Sequence, residues 1–192
     1  MGLSHSYSGL TEDVLEEYKS LTYLQNDEIL YLMEKFTSID PKKLLANCSH
    51  RFSKKDIVNK FTVLKNNPFQ DRLFSVFSSK HDDCFSFEDL LDLYSAMSSE
   101  CPVDVKAAWA FKVFDMDDDN QITEKDVSLI IDRLTRDPHK PSNVFDANTK
   151  KKMYDLILKE MGLNRVLGIG IQEFTLIMAK LPDFHTCFYF RI

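Results

Sequence analysis

Glycine is scarce, five in 192 residues, and none of it forms a phosphate-cradling loop of the kind nucleotide sites use. Positive charge is short as well. Twenty-four Lys and Arg stand against 30 Asp and Glu, a net charge of −6, with no basic stripe to track a phosphate backbone, so nucleic acid is not an expected partner. No apolar run approaches the roughly 20 residues that cross a bilayer. The four cysteines, Cys48, Cys84, Cys101 and Cys187, include no CxxC pair and follow no secretory leader, so reduced thiols in a cytoplasmic protein are the expectation. The five histidines lie far apart, without HExxH or a nucleophile elbow, and an enzyme is not expected.

What is present points to helices. Hydrophobic residues make up 44% of a chain long enough for one domain or two small lobes, and fifteen Phe against five Gly favour aromatic packing between helices over a sheet. In "NDEILYLMEKF" Asn26 is read as a cap, with Ile29, Leu32, Met33 and Phe36 on one face. In "NPFQDRLFSVF" Pro68 is read as the first helical residue, with Phe69, Leu73, Val76 and Phe77 sharing a face. "SFEDLLDLYSAM", "VKAAWAFKVF", "TEKDVSLIIDRL", "KKMYDLILKEM" and "IQEFTLIMAKL" follow as further helices, with "RDPHKPSN" as the clearest linker. Trp109 and the methionines Met33, Met97, Met153 and Met178 are read as core.

The stretch "DMDDDNQITEKD" carries the chemistry. Counted from Asp115, it fits the twelve-residue calcium loop of an EF-hand, whose ligands come from positions 1, 3, 5, 7, 9 and 12. Asp115, Asp117, Asp119, Gln121, Thr123 and Asp126 fill those slots, the seventh through a backbone carbonyl. Asn120 stands at the sharp turn where glycine is usual, and asparagine tolerates the left-handed conformation that turn demands. Ile122 stands at position 8, where paired loops form a short β-bridge.

The same register recurs three times in degraded form. In "SSKHDDCFSFED" Ser78 takes position 1, Lys80 position 3, Asp82 position 5, Phe85 position 8 and Asp89 position 12; a lysine at position 3 repels a cation. In "GLNRVLGIGIQE" Gly162, Asn164, Val166, Leu167, Ile169 and Glu173 take positions 1, 3, 5, 6, 8 and 12, so one amide and the closing carboxylate survive. "HRFSKKDI" looks like the back half of a loop, with Phe52 at the bridge and Asp56 at the close. The expectation is an all-α, two-lobed EF-hand protein of four helix-loop-helix units with short β-bridges between paired loops. Residues 1–25 are read as an N-terminal extension, 26–98 as a degenerate pair of hands, 103–181 as a pair with loop three competent, and 182–192 as a tail. One Ca2+ or Mg2+ ion is expected.

Through "LEEYKSLTYLQNDEIL", "NPFQDRLFSVFS", "FSFEDLLDLYSAMS", "DVKAAWAFKVFDMDDDN" and "PDFHTCFYFRI" the chain resembles the calcium- and integrin-binding proteins nearly end to end. Myristoylated calcium sensors and the calcineurin regulatory subunit fit the "PDF" tail and the Asp-closed third loop poorly. The resemblance implies two metal-free N-terminal hands and an aspartate, here Asp126, closing loop three. It also implies an apolar groove, partly covered by the C-terminal segment, for an amphipathic helix from a membrane protein's cytoplasmic tail, such as an integrin or a channel subunit. In this sequence that groove falls on Phe114 before loop three and on Val127, Ile130, Ile131 and Leu134 after it. Leu156, Ile157, Phe174, Ile177 and Met178 of the last helix pair complete it. The fourth loop departs from the family, which usually carries a calcium site there.

The tip "MGLSHS" places Gly2 and Ser6 in the N-myristoylation pattern, and one acyl chain binds membranes reversibly. A cytoplasmic protein in reversible contact with a membrane surface is the expectation. The alternative is a structural subunit of a larger assembly, metal-independent or holding Mg2+ constantly.

Overall fold

The computed structural model describes residues 11–136, 145–160, 162 and 168–190. Gly2, most of the "RDPHKPSN" linker, and Asn164, Val166 and Leu167 of loop four lie outside them. The chain divides into two compact units: the described residues up to Cys101 together with Tyr189 and Phe190, and Pro102 to Phe188.

The first unit opens with α1 (Glu12–Leu21), a helix within what reads in the sequence as an N-terminal extension. The Thr11 side chain accepts the Val14 N–H at its start, and Tyr18 donates to Glu88 at 2.8 Å. In α2 (Asn26–Thr37) the cap is Gln25, not Asn26: the Gln25 N–H donates to the Glu28 carboxylate at 2.7 Å in a capping box. Ile29, Leu32 and Phe36 are buried as the periodicity requires. The short α3 (Pro41–Ala46) starts on Pro41 behind the Asp40 cap.

Two residues of strand, β1 (Phe52–Ser53), then lead into α4 (Lys54–Lys60). The next helix, α5 (Gln70–Phe77), starts two residues later than Pro68 suggests, because the Asn67 side chain accepts the Phe69 N–H and folds Pro68 and Phe69 into a turn first. β2 (Cys84–Phe85) and α6 (Phe87–Ala96) complete the pair. β1 and β2 run antiparallel with Phe52 opposite Phe85, the two bridge positions of the sequence register.

Aromatic rings fill the middle of this unit. Phe74 stacks on Phe85 at 4.3 Å between centroids, Phe36 meets Phe52 edge-on at 5.0 Å, and the four rings are almost wholly buried. Each such ring contributes roughly 1.5–3 kcal/mol by leaving water, so the β1–β2 pairing is held among fully buried aromatic rings. Phe190 also belongs here: its N–H donates to the Met97 carbonyl and its ring lies 5.7 Å from Tyr94.

The second unit comprises α7 (Val103–Phe114), α8 (Glu124–Thr135), α9 (Ala147–Glu160), α10 (Ile171–Met178) and the single turn α11 (Phe184–Cys187). Helix α7 packs on α10 and α8 on α9, the crosswise arrangement of paired hands. Ala107, Ala110 and Phe111 of α7 meet Phe174 of α10, with the Phe111 and Phe174 rings edge-on at 5.7 Å. Ile122 and Ile169 form an isolated antiparallel bridge between loops three and four, each donating its N–H to the other's carbonyl at 2.9 Å. Among the described residues the protein is thus a mostly helical EF-hand protein with two minimal β-pairings.

Candidate metal centre

Loop three hangs between α7 and α8, and its shape follows from its own side chains. Both oxygens of Asp115 accept backbone N–H groups, from Asp119 at 3.1 Å and Asn120 at 2.9 Å, which curls the chain around the first ligand position. Asp118 and Asn120 take positive φ of 57° and 64°, the left-handed region that short polar side chains tolerate best. Asp119 accepts the Gln121 N–H at 2.8 Å.

The loop closes on Asp126, which is fully buried. One oxygen accepts the Met116 N–H at 3.0 Å; the other accepts the Thr123 N–H at 2.9 Å and the Thr123 hydroxyl at 2.6 Å. Asp126 therefore caps α8 and ties the second loop residue to the twelfth. All four hands start their exit helix in this style. Ser53 with Asp56, Ser86 with Asp89, and Gly170 with Glu173 are the counterparts.

Asp115, Asp117 and Asp126 each place one oxygen within 4.8 Å of the others. Of the candidate ligands read from the sequence, these three carboxylates converge. Asp119 is exposed and stays outside the group, Thr123 is engaged by Asp126, and Gln121 is half-buried beside Gly168. Burial pushes the Asp115 carboxyl above its ordinary value, against the opposing pull of its N–H donors, and the neighbouring charges of Asp119 and Asp118 push it further. Lys125, itself largely exposed, reaches Asp117 at 2.7 Å. Three hard oxygen donors around one point, two of them buried, fit Ca2+ or Mg2+ and not a soft thiophilic metal.

Gly168 lets loop four come close. At φ +86° it is left-handed, and a Cβ there would stand 3.1 Å from the Ile122 carbonyl oxygen and 3.2 Å from the Thr123 methyl.

The residues assigned to a groove fall into two sets. Val127 and Phe174 are core of the second unit, because one face of each helix must pay for the fold before any can serve a partner. Phe114, Ile131, Ile177 and Met178 are partly buried against that core, and Ile130 is half-buried. Leu134, Leu156 and Ile157 are exposed. The aromatic side chains of Phe184 and Phe188 pack onto the same cluster, Phe188 at 6.3 Å from Phe114.

In loop two Lys80 is exposed, and the positive group within the loop is Arg51, 38 residues before its partner Asp89. No repeat-based reading of the loop could supply it.

No family model matches the chain. Curated proteins do. Calcium and integrin-binding family member 2 of Homo sapiens is 28% identical over 187 residues, spanning 95% of this chain and 96% of that protein. The Drosophila melanogaster member 2 is 27% identical over the same length, and Homo sapiens member 3 is 26% identical over 185 residues. Each alignment covers about 95% of this chain. Over nearly its whole length the chain is thus similar, at 26–28% identity, to members of the calcium and integrin-binding family.

Proposed function

We propose that this protein is a non-enzymatic adaptor that binds one divalent cation in loop three and receives an amphipathic helix on its second unit. The convergence of Asp115, Asp117 and Asp126 carries the reading. The names of its relatives, calcium and integrin-binding proteins, support the calcium and the integrin. The partner is then a helix from a membrane protein's cytoplasmic tail, integrin or channel subunit. Its docking face would be the half-buried rim of Phe114, Ile131, Ile177 and Met178, with the exposed Leu134, Leu156 and Ile157 around it. Phe184 and Phe188 rest on that rim, so a partner helix competes with this chain's own turn.

Asp126 bears on which ion is held. A glutamate at position 12 normally chelates calcium through both oxygens; the shorter aspartate offers one, which suits octahedral Mg2+, with ligands at about 2.0–2.1 Å against 2.3–2.6 Å for Ca2+. Its second oxygen is already committed to the N–H and hydroxyl of Thr123. That commitment favours a site filled by Mg2+ at rest, which rigidifies the second unit around the rim.

Calorimetry with each ion, followed by titration of a helical tail peptide with and without chelator, tests the reading. One ion per chain is expected, lost in Asp115→Ala, with peptide binding weakened by chelator. The half-buried Trp109 on α7 reports in parallel: a calcium-driven change in its fluorescence marks a sensor, and none over Mg2+ marks constant loading. Two comparable sites, or peptide binding indifferent to the metal, would refute the adaptor as stated.

A further inference from the structure

Loop two keeps the backbone of a metal loop although a lysine, Lys80, stands at its third position. His81 and Asp83, its fourth and sixth residues, take φ of 51° and 56°, matching Asp118 and Asn120 in loop three at 57° and 64°. Two left-handed excursions by side-chain-bearing residues, one residue apart, persist only where their surroundings over-determine them. In loop two a guanidinium does so.

Arg51 reaches into the loop from the residue before β1. Its Nη1 donates to Asp89 at 2.7 Å and to the Ser79 hydroxyl at 2.9 Å. Its Nη2 meets Asp82 at 2.9 Å, the Ser78 hydroxyl at 3.0 Å and the Cys84 carbonyl at 2.6 Å. Ser78, Asp82, Cys84 and Asp89 are positions 1, 5, 7 and 12, four of the slots from which a loaded hand draws its metal oxygens, the seventh again through its main-chain carbonyl. Asp89 also accepts the Ser79 N–H, as Asp126 accepts the Met116 N–H in loop three.

We propose that Arg51 is the resident cation of loop two, an internal guanidinium that takes the place of a metal ion and holds the first hand pair in its filled geometry without one. The side chain is only 12% exposed and its partner Asp89 4%, unlike the solvated contact of Lys125 in loop three, where the lysine is 69% exposed. Arginine suits the role because its planar fork offers several donors at fixed angles and stays charged at any physiological pH. Tethered through the chain, it cannot be diluted or chelated away. Lys80, at the third position, is exposed at the surface and takes no part. The first unit is therefore indifferent to changes in Ca2+ or Mg2+, and the divalent response of these two loops belongs to loop three alone.

Residue-resolved NMR of the full chain tests this, keeping loop three out of the readout. In the wild type the amide resonances of Ser79, Asp82 and Cys84 should not move with millimolar calcium or lanthanum chloride. In Arg51→Gln and Arg51→Ala the vacated carboxylates should take the metal: the same resonances shift saturably, and the lowered melting temperature of the first unit recovers as lanthanum is added. If Arg51→Ala loses its native spectrum outright, return of the dispersed peaks with lanthanum supports the assignment and their continued absence overturns it. Saturable loop-two shifts in the wild type, or no metal response in the Arg51→Gln variant, overturn it equally.

Discussion

Thr123 and Asp126 hold each other: the hydroxyl and the N–H of Thr123 both donate to one oxygen of Asp126, at 2.6 and 2.9 Å, while Asp126's other oxygen takes the Met116 N–H. A residue expected from sequence as a metal ligand is thus also a helix cap and a loop clasp. Asp126→Ala should lose the clasp as well as the ion. We expect a loss of about 1–3 kcal/mol in the metal-free protein, since a cap is removed and buried N–H donors are left bare. Urea unfolding in chelator measures it. Asp126→Glu should shift the preference from Mg2+ toward Ca2+, read by competitive calorimetry, because the longer side chain can chelate with both oxygens.

On the proposed site, Lys125 would compete with the ion for Asp117, which it reaches at 2.7 Å from a largely exposed position. Solvated pairs of this kind contribute little and are screened by salt. Lys125→Gln should therefore tighten divalent binding by roughly two- to fivefold, more at low ionic strength than at high. An unchanged affinity in low salt would show that the lysine leaves at no cost.

Asp82 supplies a pH signature. The hydrogen bond from Arg51 holds its carboxyl at about 2, below the ordinary 3.8. Because the folded value lies below the unfolded one, ionised Asp82 adds stability that is complete above the unfolded value and disappears as pH falls through the folded one. Wild type and Asp82→Asn should then differ in unfolding midpoint at neutral pH and converge at the acid end of that interval. A gap that widens in acid would contradict the assigned direction.

Gly2 makes its own prediction. If the N-terminus is myristoylated, Gly2→Ala should move the protein from a mixed to a fully unbound distribution on vesicles, since about 0.8 kcal/mol per buried methylene is lost. Mass spectrometry of the mature N-terminus in cells carrying the transferase decides it; an acetylated or unmodified Gly2 ends the idea.

Much of this molecule was legible because an EF-hand is local. Twelve consecutive residues carry ligands, turn and cap, so the bridge positions Phe52, Phe85, Ile122 and Ile169 could be placed by counting from Asp115. The helix faces of Ile29, Leu32 and Phe36 followed from period alone. Helix starts were less legible: Gln25 displaces Asn26, and Asn67 delays α5 to Gln70, because caps are chosen by side-chain hydrogen bonds that several polar neighbours could make. Arg51 was not legible at all. It reaches its partners across 27 to 38 residues, a pairing fixed by the β1–β2 bridge that no local count contains.

The Ile122–Ile169 bridge gives loop four a part in the pair that does not depend on its ligand positions. Two reciprocal hydrogen bonds at 2.9 Å, with Gly168 leaving no room for slack beside the Ile122 carbonyl, couple the two loops as rigidly as neighbouring strands in a sheet. Any displacement of Ile122 when Asp115 and Asp126 draw in around an ion must carry Ile169 with it, and through Gly170 and Glu173 the first turn of α10. With an ion held in loop three as proposed, the first turn of α10 would follow it through this bridge, and one bound cation would reorient helices on both sides of the pair.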